Sequence, residues 1–263
     1  MLIDPTAIRY IALDLDGTLL RSDKSISGRT RTAILACVDL GYKPIIATAR
    51  PPRSAEGFLQ DFLPDAPRIY YSSSLIRAGS ETLLNRTISC NIALEVVDTL
   101  LTRAPGATVS VEIDDRFYAN QPHEHALDGD VVDVRTVLDR EPVKIMLNIT
   151  PDLSPNILTD LPSAVRHVIS DAGTLAQIMH ADVSKSDAIR RVVATEGADL
   201  SSVIAFGDDT NDVEMIRDAG IGIAMANAVD SVKAVANHIT ESNDDDGIAL
   251  VLQVMAKRKA QGA

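Results

Sequence analysis

One grammar recurs at both ends of the chain: a short apolar run, a polar cluster, then a stretch with apolar residues at helical spacing. Tyr10–Leu13 opens it, and Pro44–Ala47 repeats it after Ser27–Gly41. In that intervening stretch Ile34, Leu35 and Val38 lie at helical intervals, Ser27 suits a cap and Gly41 a stop. Arg68–Tyr71 follows the amphipathic stretch Ala55–Phe62. Late in the chain, Lys185–Glu196 predicts a helix with Ala188, Ile189, Val192 and Val193 on one face. Ser202–Phe206 then predicts a strand, Asp212–Ala219 a helix, Ile221–Ala224 a strand and Ile248–Lys257 a closing helix. Strands buried on both faces read as continuous apolar runs, and their alternation with helices calls for a parallel sheet. The pattern predicts an α/β fold: a doubly wound, Rossmann-like parallel sheet with helices on both faces.

Between about 81 and 183 the grammar changes. Thr108-Val109-Ser110-Val111-Glu112-Ile113 alternates polar and apolar residues, and further runs lie at Val131–Val134, Val143–Ile149, Ala164–Ser170 and Leu175–Met179. Such alternation suits an antiparallel sheet with one wet face. The expected organisation is a discontinuous core, 1–80 with 184–263, and an inserted α+β module, 81–183.

At 263 residues and 46% apolar, the chain can bury a core without disulfides or metals. Aromatics are only 3%, so that core is built from Leu, Ile, Val and Ala. Lys and Arg number 25 against 37 Asp and Glu, a formal charge of −12 that repels phosphate backbones and anionic lipid. Nucleic-acid and membrane partners are therefore not expected. The longest apolar runs are too short to span a bilayer, and the N-terminus lacks the basic start and apolar stretch of a signal peptide. Cys37 and Cys90 form no CxxC and no disulfide framework, which leaves the cytoplasm as the expected location. Oligomeric state is not legible.

Four strand endings carry polar residues: Asp14-Leu15-Asp16-Gly17-Thr18, Thr48-Ala49-Arg50, Ser184-Lys185, and Gly207-Asp208-Asp209-Thr210-Asn211-Asp212. In a doubly wound sheet the carboxyl ends of the strands line the ligand crevice, so distant clusters converge. Asp14 and Asp16, two apart on an extended segment, point the same way, and like charges that close favour a shared proton or a bound cation. Asp208 and Asp212 add two more carboxylates. An oxygen-only donor set without Cys or His selects a hard ion such as Mg²⁺ rather than zinc. Lys185, Thr48 and backbone amides supply positive charge and donors. Together these groups make a phosphate-handling site with a carboxylate available as nucleophile.

Several tempting features read more simply. His123-Glu124-His125 is a solvated loop, His180 a strand-end histidine, Asp244–Asp246 a loop with a helix cap, and Cys37 inert core. Gly220–Met225 begins like GxGxxG but ends in Met225, and neither GxxxxGK[ST] nor GxSxG occurs.

Asp14-Leu15-Asp16-Gly17-Thr18-Leu19 resembles the DxDGT[LV] signature of the haloacid dehalogenase superfamily of phosphohydrolases, and Thr48, Lys185 and the GDxxND run 207–212 match its later motifs in order. The GDxxND form, the run Ala219–Ala228 and Asn243–Ile248 resemble the Cof-type subfamily, whose α/β cap is inserted where this chain carries its middle module. The resemblance implies a Mg²⁺-dependent phosphatase acting on a small phosphorylated metabolite, a sugar phosphate first. It implies Asp14 as nucleophile and Asp16 as general acid and base. The metal would be held by Asp14, the Asp16 carbonyl and Asp208, with Asp212 a ligand or orienting group. Thr48, Lys185 and Asn211 would hold phosphoryl oxygens, with Ala49 and Arg50 beside them. That chemistry asks for a raised pKa on Asp16 and an ionised Asp14. A phosphomutase shares the intermediate, and a binding protein could share the scaffold. The chain departs from the subfamily at Thr48-Ala49-Arg50 (usually Thr-Gly-Arg), at Lys185-Ser186 (usually Lys-Gly), and at Ser72-Ser73-Ser74, where an Asn-Gly pair usually follows the third strand.

Overall fold

The computed structural model describes residues 7–59, 61–122, 129–154 and 156–261. His123-Glu124-His125 lies outside the described residues. The chain divides into two compact units, one of residues up to Leu83 together with Ser184 onward, the other Leu84–Val183.

The first unit begins with β1 (Tyr10–Leu13), α1 (Gly28–Asp39), β2 (Lys43–Ala47), α2 (Pro52–Leu59), β3 (Arg68–Tyr70) and β4 (Leu75–Ala78), and the boundary between the units falls within β5 (Glu81–Asn85). The second unit contains α3 (Cys90–Arg103), β6 (Val109–Ile113), β7 (Arg116–Ala119), β8 (Asp130–Val131), β9 (Lys144–Asn148), β10 (Val165–Ser170) and β11 (Leu175–His180). The chain then returns to the first unit as α4 (Lys185–Ala194), β12 (Val203–Gly207), α5 (Val213–Asp218), β13 (Ile221–Ala224), α6 (Asp230–Val235), β14 (His238–Ile239) and α7 (Gly247–Ala260).

The core sheet has the order β14-β13-β12-β1-β2-β3-β4-β5. Its strands run parallel from β14 to β3, and β4 turns back antiparallel. The apolar runs become the central strands: β1 and β12 are buried throughout, as the continuous hydrophobic pattern requires. Ser27 caps α1 by accepting from the Thr30 amide, and Gly41 follows its end with φ +86°. Cys37 is wholly buried beneath α7, its thiol directed at the Leu252 carbonyl. Because β1, β2, β3 and β12 are parallel neighbours, the loops that leave their carboxyl ends share one edge of the sheet.

The second unit is a six-stranded sheet, β10-β11-β9-β6-β7-β8, mostly antiparallel. One face packs on α3 through Val109, Val111, Ile113, Ile145, Leu147 and Ile178. The alternation predicted a wet opposite face, but Ser110, Glu112, Lys144 and Gln177 are buried there. These polar groups answer one another: Lys144 Nζ donates to Gln177 Oε1 at 3.2 Å, and Gln177 Nε2 to Ser170 Oγ at 2.7 Å. Val131–Val134, expected as a strand, breaks after Val131 because Asp133 caps a short 3₁₀ turn. Among the described residues no helix is long and apolar enough to cross a membrane.

Candidate active site

The first acidic cluster starts where β1 ends. Beyond Leu13 the backbone stops alternating and closes on itself: the Leu19 amide donates to the Asp14 carbonyl and the Leu20 amide to the Leu15 carbonyl. Gly17 allows that turn with φ +73°, and a Cβ on it would lie 2.1 Å from Asp208 Oδ2. Asp14 and Asp16 consequently do not share a face. Asp14 turns inward and is 6% exposed. The Asp16 carboxylate lies outward, 40% exposed, between Arg50 and Lys24. The extended geometry assumed for this pair ends two residues too early.

Asp14, Asp208 and Asp212 each offer an oxygen within 4.8 Å of the others. Lys185, fully buried at the start of α4, donates to Asp14 Oδ1 and Asp212 Oδ1, each at 2.6 Å. The other Asp212 oxygen accepts the amides of Asp208 and Asp209 at 3.0 and 3.2 Å, which ties the loop after β12. The Asp209 side chain in turn accepts the Asp212 amide, as well as that of Thr210, so the two acids form a capping box. Thr18 Oγ1 donates to Asp208 Oδ1 at 2.7 Å. Gly207 permits the approach, since a Cβ there would lie 2.6 Å from that of Asp212.

The remaining candidates flank this cluster. Thr48, 1% exposed, directly follows β2; its Oγ1 accepts the Arg50 amide at 3.0 Å, which leaves its own proton to donate. Ala49 and Arg50 are half-buried. Arg50 grips Asp16 with both ends of its fork, at 2.5 and 2.6 Å, and stacks over Phe58. Asn211 is half-buried and its Oδ1 is buried with no hydrogen-bond partner. Ser186, where a glycine is usual, hydrogen-bonds Asp218 Oδ2 at 2.7 Å and so pins α4 to α5.

Burial drives the electrostatics. It pushes the Asp14 carboxyl well above the usual range, and the charges of Asp212 and Asp208 add to this, although Lys185 opposes it. Asp208 is pushed up to about 7, chiefly by burial and then by Asp212, against the Thr18 hydrogen bond. Burial lowers the Lys185 pKa, but the two carboxylates outweigh it and hold the ammonium charged. Asp16 goes the other way: burial raises it, yet the hydrogen bonds from Arg50 and Lys24 hold it below its ordinary value. The expected order, Asp14 ionised and Asp16 raised, is thus reversed in the metal-free arrangement. Asp14 shares one cation with Asp212 in a buried cluster, whereas Asp16 has two cations in a wetter one.

A family model described as haloacid dehalogenase-like hydrolase matches residues 11–252. The chain belongs to this family. It is 30% identical to the 5-amino-6-(5-phospho-D-ribitylamino)uracil phosphatase YitU of Bacillus subtilis, over 92% of this chain and 96% of that protein. It is 27% identical to the pyridoxal phosphate phosphatase YbhA of Escherichia coli, over 92% and 96%. The solved structure of the subclass IIB sugar phosphatase BT4131 shares its fold with a TM-score of 0.84, at 24% identity, over 94% of this chain and 98% of that one. The relatives are phosphatases, and the chain is one.

A haloacid dehalogenase-like phosphatase uses a divalent cation, and the donor set fits one. The cluster offers only oxygens, three carboxylates for one ammonium. Asp14 and Asp208 could hold it, with Asp212 as a further ligand or an orienting group. The sequence reading missed Lys24, which reaches Asp16 Oδ1 at 2.8 Å from the turn Arg21–Ser25, where its own φ is +65°. The acidic run is the expected loop ending at the N-cap of α7, but the Asp246 side chain does not cap; it accepts from Arg21 at 2.8 Å, while Asp244 accepts from Ser22. The run anchors the turn that carries Lys24. His180 accepts the Asp182 amide at the end of β11.

Proposed function

We propose that the chain hydrolyses the phosphomonoester of a small metabolite, a sugar phosphate or phosphorylated sugar alcohol first, through a phosphoaspartyl intermediate on Asp14 with Mg²⁺ as the cation. The observation that carries this reading is the convergence of Asp14, Asp208, Asp212 and Lys185 from three separate segments into one buried cluster. Binding alone would need no nucleophile at its centre. The ribityl phosphate named for YitU presents a phosphate on a polyhydroxylated chain, which supports the proposed substrate class.

Bound by Asp14, the Asp16 carbonyl and Asp208, with Asp212 orienting the loop, Mg²⁺ would supply the positive charge that lets a phosphoryl group approach carboxylates. An Asp14 oxygen attacks phosphorus; a new O–P bond forms as the bond to the leaving alkoxide breaks. Asp16 gives the alkoxide its proton, then takes one from the water that cleaves the phosphoaspartate and frees inorganic phosphate. Thr48, Lys185 and Asn211 hold the phosphoryl oxygens, the preorganised electrostatic part of the catalysis, with Ala49 and Arg50 beside them. Asp16 enters only after leaving Arg50 and Lys24 and taking up a proton from solvent, since their hydrogen bonds hold it below its ordinary value. A phosphoryl dianion at Thr48 competes for the Arg50 fork and so frees the acid when substrate is present.

Phosphate release from p-nitrophenyl phosphate, sugar phosphates and 5-amino-6-(5-phospho-D-ribitylamino)uracil tests this, with Mg²⁺ and with EDTA, for wild type and Asp14→Asn. Metal-dependent release lost in the variant is expected. Isomer without phosphate would replace the reading with a mutase, and tight binding without turnover with a sensor.

A further inference from the structure

Among the described residues only two buried side-chain oxygens lack a hydrogen-bond partner, Asn211 Oδ1 and Ser72 Oγ. Buried polar groups are nearly always satisfied, and those that are not await water or a ligand. Asn211 already belongs to the site above. Ser72 does not, although it leaves the carboxyl end of β3 on the same edge of the sheet as Asp14, Thr48 and Asn211.

The turn that carries Ser72 is costly. Tyr71, Ser72 and Ser73 have φ of +52°, +55° and +113°, three consecutive left-handed residues without a glycine. A turn of the same kind joins β10 to β11 at Asp171-Ala172-Gly173, where a glycine takes the most demanding position and all three residues are exposed. At 71–73 the residues are buried, so water does not relieve the serines. The turn is held in place from the phosphate loop: the Tyr71 amide donates to the Arg50 carbonyl at 3.1 Å and the Ser72 amide to the Thr48 carbonyl at 3.0 Å. α4, which begins with Lys185, packs against the turn. Ser73 spends its hydroxyl on the Ser72 carbonyl, and the Ser72 hydroxyl alone is left over. Strain that persists beside a reaction centre is characteristically tied to its work.

We infer that Ser72 contacts the substrate, its hydroxyl hydrogen-bonding an oxygen of the bound phosphomonoester. This rests on the phosphatase reading of the Asp14 site. The oxygen belongs either to the phosphoryl group, in which case every ester is affected alike, or to a hydroxyl of the alcohol, in which case only hydroxylated esters are.

Ser72→Gly separates function from structure because the two effects have opposite signs. Glycine relieves the left-handed backbone and removes an unsatisfied hydroxyl, so Tm should rise. Losing a substrate hydrogen bond should lower kcat/KM about tenfold or more, the usual range for a bond to a charged or well-placed partner. Wild type and variant are compared with Mg²⁺ on p-nitrophenyl phosphate and glucose 6-phosphate, with inorganic phosphate as competitive inhibitor. Equal losses on both esters with a weaker phosphate Ki assign the phosphoryl oxygen. A loss confined to glucose 6-phosphate assigns a sugar hydroxyl. Unchanged kcat/KM and Ki overturn the proposal, and so does a fall in Tm that accompanies the loss of rate. If the wild type itself releases no phosphate, the phosphatase reading fails separately, and Ser72 is judged by calorimetric binding of the same two phosphate compounds to both proteins.

Discussion

Replacing Lys185 by Met tests the electrostatic core of the site most directly. The ammonium is fully buried and makes two 2.6 Å contacts, to Asp14 and Asp212, with Asp208 close by. Met preserves much of the side-chain volume, so the change removes charge and leaves no large cavity. Removing one partner of a buried ion pair typically costs about 3–5 kcal/mol, because the other charge stays buried without compensation. For a chain of this size each kcal/mol moves Tm by about 2–4 °C, so the metal-free variant should melt roughly 6–20 °C lower near pH 8.

The deficit should depend on pH, with a definite sign. Asp14 and Asp208 have folded pKa values raised above those of the unfolded chain, Asp208 to about 7. A raised carboxyl contributes stability that is full at low pH and is lost as pH rises through the folded value. Without Lys185 the carboxylates shift further upward, so near pH 5 they are protonated and need no ammonium. The gap between variant and wild type in EDTA should therefore be small at pH 5 and widen toward pH 8. Differential scanning calorimetry across that range reads it. A gap below about 3 °C at pH 8, or one of equal size at both ends, refutes the buried charge cluster as the reason for Lys185. Phosphate release should fall at least about 10²–10³-fold in the same variant.

Three further outcomes are expected. Gly17→Ala forces a Cβ to within 2.1 Å of Asp208 Oδ2 at φ +73°; the flexible carboxylate yields, so Tm drops by only a few degrees while Mg²⁺ affinity, read by calorimetry, falls about 10–100-fold. In the wild type, Mg²⁺ should raise Tm more at pH 8 than at pH 6 and release protons on binding at the lower pH, because it displaces protons from carboxyls such as Asp208; an equal Tm increment at both pH values contradicts this. Cys37 is buried and its thiol is pushed up to about 11, so a thiol reagent at pH 8 should titrate the half-buried Cys90 in the native protein and Cys37 only after denaturation.

The core strands were legible because the sheet buries them on both faces, so each is a continuous apolar run bounded by turn residues. The convergence of Asp14, Asp208, Asp212 and Lys185 was legible for a topological reason: parallel strands deliver their loops to one edge whatever their sequence separation. What escaped depends on turns. The partners of Asp16 follow from a backbone that leaves strand geometry at Leu13, and Lys24 reaches it only from a left-handed position in the turn after Arg21. Helix α3 carries its signal openly, Ala93, Val96, Val97 and Leu100 at helical spacing, but it lies in a segment whose alternating strands dominate the pattern. The buried polar face of the second sheet looks in sequence like a wet one, since alternation reports that two faces differ and not that one meets water.

The acidity of the whole chain and the work of the site pull against each other, and the local charges show how they are reconciled. A chain with a formal charge of −12 repels a phosphate dianion. Three carboxylates and one ammonium in the buried cluster leave two formal negative charges, the amount one divalent cation neutralises. Neutralising the cluster removes the repulsion but attracts nothing further, so the anion needs additional donors. Thr48 has a proton to give, and Arg50 has a fork that the substrate can share only by taking it from Asp16. If Arg50 binds the phosphoryl group as proposed, the cation that draws it in is also the one that restrains Asp16. On the proposed mechanism, arrival of the anion and release of Asp16 become one exchange at Arg50.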